Sequence, residues 1–185
     1  VGASVPTTQF AISPDGQRIV FVASPPGKRP TLWVRTLDST RPQLLPGTDD
    51  AAAPFWSPDS RFVGFFAQNR LKKIDLRGGP PQTLCECDVS PDARGGAWNR
   101  DDVILFARSA ASGLDRISAA SGPATPAFPL RPGESSYRWP SFLPDGRHFV
   151  VHVRAAVRPG VYLGSLDDNT LVPLLERTPF NALVS

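Results

Sequence analysis

The chain has 185 residues, 41% of them apolar and 20% charged, a balance ordinary for a globular soluble protein and too apolar for a disordered one. Twenty-one prolines and fifteen glycines punctuate it too often for long helices, and no window carries a helical apolar period. The net charge of +3 permits contact with an anionic partner, but the basic residues are spread along the whole chain and read as solubility; no apolar run approaches the roughly 18 residues of a membrane-spanning helix.

Residues 1–9 are small and polar, a lead-in able to pair as an edge strand. No charged-then-apolar leader opens the chain, and methionine is absent, so residue 1 reads as the start of a processed protein or of a piece of a larger one. Then comes the stretch that sets the pattern, 10–23: an apolar strand, the turn Ser13-Pro14-Asp15-Gly16, and a second apolar strand. Proline presets φ, aspartate caps the backbone from its side chain, and glycine takes the positive φ that closes a hairpin.

Strands are expected at 9–13, 18–23, 32–37 and 42–45, with an exposed loop over 24–31. The same order returns at 54–57, 61–67, 70–76 and 82–85, with Ser60 in place of the turn glycine. A third set spans 96–99, 102–107, 114–118 and 125–130, its turn degenerate at Asn99-Arg100-Asp101-Asp102. A fourth spans 138–143, 147–153, 160–166 and 171–175, its turn Leu143-Pro144-Asp145-Gly146. Residues 178–185 read as the inner strand of a further copy.

The spacing decides the architecture. Asp15 to Asp59 is 44 residues, Trp56 to Trp98 is 42, and Trp98 to Phe142 is 44. A period between roughly 40 and 50 residues with several strands per copy is the signature of propeller blades. The expected fold is therefore all-β, a propeller of four-stranded antiparallel blades over approximately 9–47, 53–87, 95–131 and 137–176. Second strands that are apolar on both faces suit a sheet packed between two others, and prolines at Pro42, Pro126 and Pro173 suit outer edge strands.

These hairpins resemble the repeats of TolB-type β-propellers, a family usually six-bladed, and the resemblance runs over nearly the whole chain. The wording at Pro54-Phe-Trp-Ser-Pro-Asp-Ser-Arg61, at 71–85, at 95–100 and at Arg138-Trp-Pro-Ser-Phe-Leu-Pro-Asp-Gly-Arg147 looks closer still to the C-terminal propeller region of bacterial eukaryotic-like serine/threonine protein kinases. That resemblance implies a kinase domain and one membrane span elsewhere in the gene product, with this propeller outside the membrane. The chain itself has no glycine-rich phosphate loop, no His-Arg-Asp and no Asp-Phe-Gly, so phosphoryl transfer is not its work.

Other chemistry is sparse. No Gly-x-Ser-x-Gly elbow accompanies the two histidines, which excludes the usual serine hydrolase arrangement. His148 and His152 share one strand face and read as structural residues rather than metal ligands. Asp49-Asp50, Asp101-Asp102 and Asp167-Asp168 sit in turns and lack calcium-loop spacing. The basic group Arg70, Lys72, Lys73 and Arg77 has no interleaved stacking aromatics, so nucleic acid is not expected. Cys85 and Cys87, two residues apart, are expected to be small buried hydrophobes or free thiols, since a disulfide at that spacing is strained within a strand.

Neither metal nor cofactor is expected, and binding is assigned to the loops that lead from each outer strand into the next inner strand: 47–53, 88–95, 133–137 and 177–181. These gather at one end of a propeller's channel. Asp50, Arg94, Tyr137 and Arg138 are the candidate side chains, and a protein or peptide is the expected partner. Open blade edges also make self-association an expectation.

Overall fold

The structure is a computed structural model that describes residues 9–90 and 92–176. Residues 1–8 of the expected lead-in 1–9, the loop at 177–181 and the further strand at 178–185 lie outside the described residues. Within them the chain forms four antiparallel four-stranded sheets, each built from four consecutive strands. Blade one is β1 (Phe10–Ile12), β2 (Arg18–Ala23), β3 (Thr31–Thr36) and β4 (Gln43–Leu44). Blade two is β5 (Ala52–Trp56), β6 (Phe62–Ala67), β7 (Arg70–Asp75) and β8 (Gln82–Cys85). Blade three is β9 (Gly96–Trp98), β10 (Val103–Phe106), β11 (Leu114–Ser118) and β12 (Thr125–Phe128). Blade four is β13 (Glu134–Phe142), β14 (His148–Ala155), β15 (Gly160–Ser165) and β16 (Leu171–Glu176).

The inner hairpins of blades one and two close by the same device. In blade one the N–H of Gly16 donates to Ser13 O at 2.8 Å, and the Ser13 hydroxyl donates to Asp15 at 2.5 Å while accepting the Arg18 N–H at 2.9 Å. The fourth turn residue is left-handed in every blade: Gly16 at φ 69°, Ser60 at 59°, Asp102 at 58° and Gly146 at 72°. Where glycine is missing, the side chain gains a contact. Ser60 Oγ accepts the Asp15 N–H of blade one at 3.1 Å, and Asp102 accepts the Trp98 indole N–H at 3.1 Å. In the degenerate third turn the Asn99 side chain does the work of Ser13, accepting from the N–H groups of Asp101 and Val103.

Strand alternation then sends successive side chains to the two neighbouring blades. Val20, Leu32, Trp56, Val63 and Phe65 fill the space between blades one and two. Phe55, Phe66, Leu71, Trp98, Ile104 and Phe106 fill that between two and three, and Leu105, Leu114, Tyr137, Phe149, Val151 and Val153 that between three and four. Both tryptophans at the repeated inner-strand position are buried; Trp56 also donates its indole N–H to Ala11 O of blade one at 2.9 Å. Fully burying one such side chain contributes about 1.5–3 kcal/mol, so the fold rests on the faces between blades.

Two expectations are corrected. Cys85 and Cys87 are paired as a disulfide, not free thiols. β8 ends at Cys85, so Cys87 lies outside the extended pairing, and the Cα atoms stand 5.2 Å apart, inside the range a disulfide bridges. The stretch 133–137 is not a loop: β13 starts at Glu134 because Ser136 and Tyr137 continue the ladder, opposite Arg154 and Val153 of β14.

Candidate functional site at the axial mouth

The inner strands β1, β5, β9 and β13 stand side by side, and one equivalent position of each repeat converges with the others. Gln9-Phe10, Ala53-Pro54, Gly95-Gly96 and Trp139-Pro140, with Ala93 and Arg94, line one cavity of about 360 Å³. These four dipeptides are 44, 42 and 44 residues apart, so each blade contributes the same repeat position to a shared axis.

That position is conformationally special. Ala53, Gly95 and Trp139 have φ values of 45°, 89° and 49°, all in the left-handed region that L side chains avoid. Irregularities in the β5–β6 and β13–β14 ladders fall at the same places, between Ala52 and Phe55 and between Arg138 and Ser141. Such bulges re-aim side chains next to functional sites. Here the bulge turns out Trp139, which is 53% exposed, a bulky residue in a conformation that costs about 1–3 kcal/mol. It is tied across to blade three by its N–H, which donates to Arg94 O at 2.7 Å. Gly95 makes the close approach possible, since a Cβ there would come within 3.2 Å of the indole.

Positive charge gathers around this tryptophan. Arg138 is 5% exposed, donates from Nε to Ser136 Oγ at 2.9 Å, and holds its guanidinium 6.0 Å from the Trp139 ring. The β13–β14 register sets Arg138 opposite His152 and Ser136 opposite Arg154, placing all four on one face. Burial first, then the charges of Arg94 and Arg154, lower the Arg138 pKa from its ordinary value, with Asp92 acting the other way. Burial and the neighbouring Arg138 likewise lower the His152 pKa; its ring lies 6.1 Å from Trp139.

Of the four candidate side chains, Arg94 and Arg138 fall in this neighbourhood and the other two do not. Asp50, itself at φ 63°, pairs with Arg29 at 2.9 Å and borders a separate cavity of about 390 Å³ alongside Pro30, Phe66 and Val89. Tyr137 is fully buried against blade three, because neighbours on a strand point to opposite faces and Arg138 takes the other one. Its hydroxyl donates to Glu134 and to Pro129 O, and burial followed by the Glu134 carboxylate raises its pKa far above that of a free phenol. Trp139 was not among the expected residues, although its signal was in the repeat: it is the aromatic at a position that elsewhere carries Gln9, Ala53 and Gly95.

Among the described residues no three His, Cys, Asp or Glu side chains come together in a metal-holding group, and no helix is long and apolar enough to cross a membrane. No protein-family model matches the sequence, and no curated protein matches it. Solved structures do. A TolB-designated protein of Agrobacterium tumefaciens is similar over 91% of this chain and 64% of its own, with a TM-score of 0.74 and 17% identity. TolB of Acinetobacter baumannii is similar over 92% of this chain and 44% of its own, at a TM-score of 0.73 and 17% identity. A puromycin-hydrolysing peptidase of Mycobacterium tuberculosis matches 95% of this chain with 30% of its own, at a TM-score of 0.65 and 15% identity. This chain thus spans less than two thirds of the length of either TolB structure. At such identities the likeness is one of architecture: the chain has the fold of a TolB-like β-propeller, with four blades among its described residues.

Proposed function

We propose that this propeller is a non-catalytic recognition module that takes a protein or peptide partner at its axial mouth, without a cofactor. The observation that carries the reading is the convergence of one repeat position from four blades on a single cavity, with a solvent-exposed Trp139 held there in a strained backbone. An exposed aromatic on a rigid frame is an expensive feature for folding alone and a good anchor for binding. The resemblance of the hairpin wording to kinase-associated propellers supports a place outside the membrane, as the sensor-like region of a bacterial serine/threonine kinase.

The test is selection of a displayed random-peptide library on the wild-type domain and on Trp139→Ala, with equal melting temperatures required of the two. Peptides enriched on the first and lost on the second are the expected result. Enrichment that ignores the substitution would remove the mouth from the reading. A second role, an accessory propeller beside a serine peptidase, is supported by the likeness to the puromycin-hydrolysing peptidase. It requires an α/β-hydrolase domain in the same gene product, where the favoured role requires a kinase domain and one membrane span.

A further inference from the structure

Arg94 and Arg138 occupy the same repeat position in successive blades, each immediately before the left-handed residue of its inner strand, Gly95 or Trp139. Blade two carries Ala52 there, so the repeat does not demand a cation. The second strand tells the same story. When the blades are aligned on the hydrogen bond that opens each hairpin, from Ser57, Asn99 and Leu143 to Phe62, Val103 and His148, His152 corresponds to Phe66 and Ala107. An apolar packing position has become a titratable one only in blade four, on the face that also holds Arg138 and Arg154. Arg94 and Arg154 both act on Arg138 to lower its pKa, so the three guanidinium groups sit within electrostatic reach of one another, with Asp92 acting the other way.

Of these cations Arg94 lines the cavity itself, together with the apolar Phe10, Pro54, Pro140 and Trp139. Its volume of about 360 Å³ is at the small end of the roughly 300–1,000 Å³ of ligand pockets, which suits a short extended segment better than a folded surface. A planar guanidinium recognises a carboxylate through two parallel hydrogen bonds, and an indole face takes an apolar or aromatic side chain.

Building on the recognition role above, we propose that the mouth between blades three and four binds an acidic peptide, with a carboxylate at Arg94 and the adjoining apolar side chain against Trp139. Aspartate or glutamate next to a leucine or phenylalanine is the minimal motif.

The experiment uses three blocked pentapeptides, identical except for Asp, Asn or Lys at the centre and each with a neighbouring phenylalanine, titrated against the domain by calorimetry at low and high salt. The Asp peptide is expected to bind about tenfold tighter than the Asn peptide, as one charge-assisted pair allows, and to lose that advantage at high salt. Arg94→Glu should reverse the order in favour of the Lys peptide. If Arg94→Glu does not fold, Arg94→Gln serves, and the preference for Asp should shrink with it. Binding that is lost in Trp139→Ala but indifferent to the central charge would overturn the acidic motif and leave the recognition role standing. Absence of any Trp139-dependent binding would remove both. Inorganic phosphate displacing the Asp peptide at equal concentration would mark a bare anion site and also overturn the proposal.

Discussion

Glycine at position 64 has a role that a strand propensity scale would count against it. The ring of Phe55 lies in a slot between Gly64 of its own blade and Gly96 of the next, and a Cβ at Gly64 would fall 2.3 Å from that ring, one at Gly96 2.6 Å. The glycines are therefore the complement of an aromatic wedge between blades two and three. Gly64→Ala is expected to lower stability by about 1–3 kcal/mol through overpacking, and the loss should be largely recovered when Phe55→Leu is added. Chemical denaturation of the two variants checks this; an unaffected Gly64→Ala would show that the wedge can move aside. The same contact explains what a reading of residues misses. Glycine within a strand signals a close approach, but nothing in the chain says which ring approaches.

At the scale of the hairpin, the repeat was the legible part. Strand order, turn positions and the burial of Trp56 and Trp98 all follow from the recurrence of one short pattern. What did not follow lies where the pattern yields to neighbours: the bulge that turns Trp139 outward, the inward course of Tyr137, and the chain departure after Cys85 that lets Cys87 reach it. Each depends on the partner strand rather than on local sequence. Ser60 offers a test of how the hairpins share their work. Its left-handed backbone is costly for any residue but glycine, while its hydroxyl ties blade two to Asp15 of blade one. Ser60→Ala, which keeps the cost and drops the hydrogen bond, should destabilise by about 1 kcal/mol more than Ser60→Gly, which removes both. Equal effects in thermal melts would mean that the left-handed backbone at this turn costs nothing.

For the molecule as a whole, the terminal blades differ from the inner two. Phe10 and Ile12 are each 58% exposed on the outward face of blade one, and Leu174 and Leu175 are exposed on blade four. Ile12 stands at the repeat position of Trp56, which packs against the preceding blade, and it faces outward among the described residues. Apolar sheet faces of this kind associate, so the isolated chain is expected to show concentration-dependent mass in sedimentation equilibrium, suppressed by Ile12→Lys. A monomer at every concentration would count against open faces that stick.

The blades also lean on one another unequally, and this has a consequence for how the molecule comes apart. β6 and β10 are covered on both sides, whereas β2 is only partly buried and, among the described residues, packs on one side alone. In a structure whose cohesion lies between neighbours, the ends fray first and the middle pair survives longest. The Phe55 slot would then be the last contact to open, and the axial mouth, which needs all four inner strands in place, would vanish while half of the molecule was still folded.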